Sequence, residues 1–230
     1  MNDSAFPASR MGLYLSGPAA LGSLDLLAGA GGLVIGHNRQ KEPVVLRLFR
    51  PEPVRLMLVG GVRCAQLLAS RAVALGAQLF IQTGREQVWD AFLRSAVIGR
   101  DVVSFLPVGA QPPQPASSSA PQLMIVDTGP ATGPDSVAGT PWRATLVVRD
   151  DLASWDVDAL VRSDVVLLQR LTEPEAALAV SPLGLAEAQN WLPRIHPEMV
   201  GLVSKGRLQW VLLSMTNSER SLLGTVARAG

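Results

Sequence analysis

The chain has 230 residues, and its 20 basic and 19 acidic side chains leave a formal net charge of +1. This balance argues against binding of nucleic acid or of a membrane through an overall positive field. Hydrophobic residues make up 48% of the sequence, which supports a sizeable core and excludes global disorder. The single cysteine, Cys64, excludes a disulfide framework and a cysteine-based zinc site. We therefore expect one globular intracellular domain over residues 1–230, without a resident metal.

The N-terminal part of the sequence is unusually apolar. Residues 11–36 contain neither lysine nor arginine and are long enough to span a bilayer. Pro18, Asp25 and several glycines interrupt them, and an aspartate at the membrane centre costs about 2.5–3.5 kcal/mol. We interpret residues 1–32 as an apolar segment that either contacts a partner or folds back onto the core. Charged residues reach only 17% of the chain, which also favours a protein with partners.

Alternation of strand and helix signals follows. Short β-rich runs at 33–36 and 44–49, separated by a polar stretch, predict a hairpin. The continuous apolar run 55–59 is typical of a central strand that is buried on both faces. A predicted helix over 62–77 and a strand over 78–82 complete a β-α-β unit.

Later segments extend this pattern. Thr83–Glu86 and Thr172–Glu175 both match the capping box that begins a helix. Residues 110–122 are rich in proline and serine and predict a flexible loop. Further strands are expected at 101–108, 122–126, 144–148, 165–169, 200–203 and 208–213, the last two as a hairpin. The sequence therefore predicts an α/β fold, a three-layer sandwich with a mainly parallel central sheet and added β-hairpins.

Ligands of such sheets bind at the carboxyl ends of the strands. There, Gly60 and Gly61 turn the chain and Arg63 lies at the start of the next helix, where it could contact a phosphate or simply face solvent. Asp127 ends the strand LMIVD and could hold Mg²⁺ or cap the following loop. The first turn departs from a P-loop, because neither lysine nor a hydroxyl residue occurs between Gly60 and Ser70. No nucleophile or triad context accompanies the serines and histidines, so no catalytic residue is predicted.

The stretch LVIGHNRQKEPVVLRLFRPEPVRLMLVGGVRCAQLLASRAVAL resembles the beginning of FtsK/SpoIIIE-type P-loop ATPase domains. The order continues in register, with LMIVD at the Walker B strand and ATLVV at the following sensor strand. SDVVLLQRLTEPEAALAVSPLGL is similar to the C-terminal strand and helix of such motors. The resemblance covers about residues 32–215 and implies a RecA-type fold. By this resemblance Gly60 and Gly61 match P-loop glycines and Asp127 matches the Walker B aspartate, whereas the lysine, the hydroxyl ligand and the catalytic glutamate have no counterpart.

FtsK-like domains also occur in the membrane ATPase of actinobacterial type VII (ESX) secretion systems, where degenerate copies mediate assembly. The resemblance thus implies a catalytically inactive, P-loop-like assembly or regulatory component of type VII secretion. Its nucleotide site would be vestigial and formed by Gly60, Gly61, Arg63 and Asp127, with no cofactor. The expected partner is a secretion ATPase or a second copy of the chain and not a nucleic acid. The expected location is the cytoplasm, with peripheral association at the inner face of the membrane left open.

Two alternatives remain at this point. The chain could be a nucleotide-binding protein or weak ATPase that uses Arg63 and Asp127 to hold ATP and Mg²⁺ in a non-standard loop. It could also be an unrelated α/β enzyme or a small-molecule sensor.

Overall fold

The computed structural model describes residues 32–96, 98–99, 101–129 and 139–228, so the expectation for the apolar segment 1–32 lies outside the described residues except for Gly32. Within these ranges ten strands form one sheet. They are β1 (Leu33–His37), β2 (Pro43–Leu46), β3 (Val54–Val59), β4 (Gln78–Thr83), β5 (Val103–Phe105), β6 (Gln122–Asp127), β7 (Arg143–Arg149), β8 (Val165–Leu168), β9 (Met199–Ser204) and β10 (Arg207–Leu213).

Five α-helices accompany the strands in the described ranges. They are α1 (Val62–Ala74), α2 (Glu86–Ser95), α3 (Val157–Arg162), α4 (Glu173–Leu183) and α5 (Asn217–Leu223). Short 3₁₀ turns occur at Ser154–Asp156, Ala186–Ala188 and Leu192–Arg194. None of these helices is long and apolar enough to cross a bilayer.

The strand order is β2-β1-β10-β9-β8-β3-β7-β6-β4-β5. The six strands from β8 to β5 in this order pair in parallel, and β9, β10, β1 and β2 add an antiparallel extension to one side. The predicted parallel sheet and both predicted hairpins are therefore confirmed.

Helices cover both faces of the parallel strands. Alternate residues of β3 divide between two cores, with Leu56 and Leu58 in one and Met57 and Val59 in the other. The first core contains apolar side chains of α1, α2 and α5, and the second contains those of α3 and α4. Because each fully buried aliphatic side chain stabilises the fold by about 1.5–3 kcal/mol, strands without polar interruptions are held at the centre of three layers. The predicted three-layer sandwich is confirmed.

Helix boundaries differ from the prediction at two places. Helix α1 ends at Ala74 instead of residue 77, because Gly76 takes a left-handed conformation (φ +84°) and the N–H of Ala77 donates to the carbonyl of Ala72. The capping box predicted at Thr83–Glu86 is wrong, since α2 has no side-chain cap. The box at Thr172–Glu175 is confirmed at the start of α4.

The proline- and serine-rich loop makes several hydrogen bonds to the sheet. The carbonyl of Ala110 accepts from Gln82 Nε2 at 2.8 Å, and that of Gln114 accepts from Gln122 Nε2 at 3.1 Å. Arg143 Nη1 donates to Gln111 Oε1 at 3.2 Å. These contacts place the loop beside the sheet, and its flexibility stays a prediction.

Arg71 of α1 connects the helix to the antiparallel extension. Its guanidinium donates to the carbonyls of Val34, Ile35 and Ser214. It also forms a bidentate pair with Glu219 of α5, at 2.7 and 3.0 Å. Both side chains are largely buried, with 14% and 16% of their surface exposed.

Replacing Arg71 by methionine should therefore destabilise the fold. The change keeps side-chain volume but leaves a buried carboxylate and three carbonyls without their donor, so we expect the free energy of unfolding to fall by about 2–4 kcal/mol. Urea denaturation measures this loss. The control is Arg94→Met, which breaks the exposed Arg94–Asp90 pair and should change stability by less than about 0.5 kcal/mol. Equal effects of the two substitutions would contradict the role of Arg71.

Candidate functional site

The turn between β3 and α1 is short and already occupied by protein groups. Only Gly60 and Gly61 separate the two elements. The N–H of Gly60 donates to the carbonyl of Arg149 at 2.8 Å, and that of Gly61 donates to Gln169 Oε1 at 2.8 Å. A side chain at Gly60 would collide with Gln169, because an added Cβ would meet three of its side-chain atoms. Glycine is needed here for the close approach of Gln169.

Residues 224–228 lie over the same turn. Gln169, which is fully buried, donates through Nε2 to the carbonyl of Val226 at 2.7 Å. Val226 is itself only 1% exposed and belongs to the first core. Arg63 Nη1 donates to the carbonyl of Thr225 at 3.3 Å. The sequence suggested Arg63 as a phosphate contact. In the structure its side chain instead holds residues 224–228 against the beginning of α1.

Arg228 fastens the segment at its other end. Its guanidinium pairs with both oxygens of Glu175, at 2.5 and 2.8 Å, and with Asp151 Oδ1 at 2.9 Å. Arg228 and Glu175 are each 8% exposed. Burial alone would raise the pKa of Glu175. Hydrogen bonds outweigh this effect and lower the pKa to about 2. They come from Arg228, from the backbone N–H groups of Thr172 and Leu152, and from the Thr172 hydroxyl.

Asp127 lies at the carboxyl end of β6, where the resemblance assigns a metal-binding carboxylate. Arg85 donates to its two oxygens at 2.7 and 2.8 Å, and Trp89 Nε1 and Thr83 Oγ1 donate to Oδ2 at 2.7 and 3.1 Å. The bonds to Asp127, followed by those to Asp150, raise the pKa of Arg85 despite its partial burial. Asp127 is only 4% exposed on its side chain. Both of its oxygens are thus satisfied by protein donors.

A cleft of about 490 Å³ opens beside this aspartate, at the carboxyl ends of β6 and β7. Four aspartates and two arginines line it, which gives a lining with a formal charge of −2. Trp155 also lines the cleft and is 67% exposed. Among the described residues, no group of three or more histidine, cysteine, aspartate or glutamate side chains is placed to hold a metal ion.

The predicted site residues therefore fall into two places. Gly60, Gly61 and Arg63 lie under residues 224–228, whereas Asp127 lies in the cleft next to Arg85. Sequence reasoning missed the roles of Arg85, Gln169 and Arg228 and the pairing of Glu175 with Arg228, because the partners are distant in the chain. Cys64 is buried. This burial, opposed by the charge of Arg71, raises the pKa of its thiol to about 12.

One polar pair lies away from both places. His37 Nδ1 and Ser214 Oγ are 2.6 Å apart where β1 meets the end of β10. Neither residue lines the acidic cleft. The pair therefore adds nothing to the chemistry of the strand ends.

Comparison with solved structures identifies the fold. No protein-family model matches the sequence, and no curated protein matches it significantly. One solved structure contains the ATPases 2 and 3 of EccC from Thermomonospora curvata in complex with a signal sequence peptide. It matches with a TM-score of 0.50 and 12% identity, over 83% of this chain and 42% of that chain. The cytoplasmic domain of the type VII secretion ATPase EccC from the same organism matches with a TM-score of 0.50 and 11% identity, over 86% of this chain.

This chain spans 31% of the length of that EccC cytoplasmic domain. A further structure described as an ATPase matches with 15% identity and a TM-score of 0.48, over 83% of this chain and 89% of its own. At these identities the likeness concerns the fold. The chain has the fold of the EccC ATPase domains, in agreement with the fold that the sequence resemblance implied.

The attachment of residues 224–228 should be sensitive to acid. Because the pKa of Glu175 is lower in the folded than in the unfolded chain, its ionic contribution is complete above about pH 4.5 and is lost as the pH falls towards 2. We expect the stability advantage of the wild type over Glu175→Gln to shrink by up to about 3 kcal/mol over that interval. Urea denaturation at pH 6, 4 and 3 measures it.

The matched control is Glu187→Gln, at an exposed position, which should show no such dependence. A constant difference between wild type and Glu175→Gln from pH 6 to pH 3 would contradict the assignment.

Proposed function

We propose that this chain is a non-hydrolysing member of the P-loop ATPase fold that works as an assembly or regulatory component of a type VII secretion apparatus. The observation that carries the proposal is the occupation of the β3–α1 turn by Gln169 and residues 224–228. In a P-loop, backbone N–H groups at this turn bind phosphate. Here the N–H of Gly61 has a side-chain acceptor from its own chain.

Electrostatics support the same conclusion. Hydrolysis of a nucleoside triphosphate needs cations next to the phosphates, since charge on the transferring group must be stabilised. The lining of the cleft beside Asp127 instead has a formal charge of −2. The guanidinium of Arg85 already donates to Asp127 and to Asp150. A nucleotide with Mg²⁺ would have to displace Arg85 from Asp127. The weak-ATPase alternative therefore requires a large rearrangement of this site.

The link to secretion comes from the sequence resemblance and from the fold shared with EccC ATPase domains. A domain of this fold does not need nucleotide turnover in order to contact a neighbouring protein. We therefore propose a secretion ATPase as the partner, with the chain on the cytoplasmic side of the membrane. Since one EccC structure contains a signal sequence peptide, competition between such a peptide and this chain is a second way to detect the contact.

ATP hydrolysis should stay at background in the purified protein. We expect the same for Val62→Lys, which places a lysine directly after the two glycines, because Gln169 and residues 224–228 still fill the turn. Phosphate release with ATP and Mg²⁺ measures turnover. Turnover above background that Asp127→Ala abolishes would favour the weak-ATPase alternative.

Binding to the secretion ATPase should not depend on a nucleotide held by this chain. We expect the same Kd, within about twofold, for the wild type and for Arg63→Ala in the presence or absence of ATP. Biolayer interferometry against the purified cytoplasmic domain of the secretion ATPase measures this. The proposed function would be contradicted if the wild type did not bind the secretion ATPase. It would also be contradicted if Arg63→Ala bound more weakly than the wild type and ATP changed the size of that difference.

A further inference from the structure

The antiparallel extension has one covered and one open face. Leu33, Ile35, Val44 and Leu46 point to the first core, where α1 packs against β1. On the opposite face Val34, Val45 and Leu212 are 44%, 38% and 45% exposed. We call this second face of β10, β1 and β2 the open face.

The strand register brings these apolar side chains together. Val34 is paired with Val45 across β1 and β2, and His37 is paired with Leu212 across β1 and β10. Met199 of β9 pairs with Leu212 on the other side and is partly exposed. Three neighbouring strands thus present a largely apolar surface that His37, the partner of Leu212, interrupts. Exposed apolar surfaces of this kind often mark contacts with other proteins.

Cations border this surface. Arg39 and Lys41 lie in the β1–β2 turn, Arg47 directly follows β2, and Lys205 lies in the β9–β10 turn at the same end of the sheet as the β1–β2 turn; all four are exposed. Within the part of the chain that the structure describes, none of the four forms an ion pair. Glu42 is the carboxylate in these turns, and Asn38 Nδ2 donates to it.

We propose that the open face binds a protein partner whose apolar surface is bordered by carboxylates. An apolar centre with a charged rim is the usual anatomy of a protein interface, and complementary charge selects and orients the partner. The proposal rests on the proposed function in taking the secretion ATPase as this partner. The inference goes beyond the proposed function by naming the surface and the chemistry that the surface recognises.

The charges argue against a second copy as the occupant. Two open faces brought together would place Arg39, Lys41 and Arg47 of one copy near the same cations of the other, and like charges across an interface are unfavourable. Addition of a foreign strand to the free edge of β2 is also disfavoured, since Pro43 and the flanking Lys41 and Arg47 are residues that protect sheet edges.

A membrane surface fits less well. The exposed valines and Leu212 lie on the strands themselves, and the β1–β2 turn, residues 38–42, is entirely polar. The end of this hairpin therefore carries no apolar side chain to insert into a hydrocarbon layer. The apolar face of a sheet instead packs against a helix or sheet of another protein.

The test uses the full chain and the purified cytoplasmic domain of the secretion ATPase. Leu212→Glu and the double variant Arg39→Glu/Lys41→Glu should each weaken binding by about tenfold or more, and the wild-type affinity should fall as salt is raised. Val161→Glu is the matched control, because Val161 is 61% exposed on α3, outside the open face. Its affinity should equal that of the wild type. Circular dichroism and urea denaturation confirm that the variants fold.

A second measurement separates failure of the surface from failure of the proposed function. A photoreactive benzophenone amino acid at position 212, and at position 161 as control, is introduced into the full chain in the producing cells. Cross-links to a carboxylate-rich surface of the secretion ATPase from position 212 alone support the inference. If the wild type binds the ATPase but Leu212→Glu binds equally well, the surface is wrong and the proposed function stands.

If the wild type does not bind the ATPase, the proposed function fails. The cross-links alone then test whether the open face is a binding surface. A position-212 adduct to a carboxylate-bordered surface of another protein then still supports it. Adducts to lipid, to a second copy or to residues 1–31 of the same chain, or no adduct specific to position 212, overturn it.

Discussion

The side-chain amide of Gln169 lies at the junction on which the proposed function depends. Its oxygen accepts from the N–H of Gly61 and its nitrogen donates to the carbonyl of Val226, so one buried group joins β8, the beginning of α1 and residues 224–228. A buried amide that makes both bonds is stable, whereas one that loses either partner leaves an unsatisfied polar group in the core. The turn that would otherwise be open to a ligand has therefore become part of the folded core.

At Asp127, too, a side chain of the protein lies where a ligand would bind. In an ATPase of this fold a carboxylate at this strand end faces a divalent cation, and here it faces the guanidinium of Arg85. Arginine offers a planar set of donors that satisfies two carboxylates at once, and Asp150 is the second. The two closures are formed by different residues, one by the amide of Gln169 and the other by the ionic triad around Arg85. A single substitution in one of them therefore leaves the other in place.

The sequence predicted the fold well because the signals were local. The run 55–59 has apolar residues at four of five positions, and Thr172 and Glu175 are only three residues apart, so each pattern is visible within one window. The closures were not visible in this way. Gln169 and Val226 are 57 residues apart, and Arg85 and Asp127 are 42 apart. The wrong capping box has the same origin, because Thr83 is paired in register with Asp127 on β6 and its hydroxyl donates there.

The two turns at the border of the open face contain Lys41 and Lys205, the two lysines of the whole sequence. Both residues have a left-handed backbone, with φ of +64° and +51°, so each lies at the tip of a tight turn and its amine is presented to solvent. Amine-directed chemistry on side chains is therefore confined to one end of the sheet. Attachment of the protein to a support through lysine would therefore turn this end of the sheet towards the support.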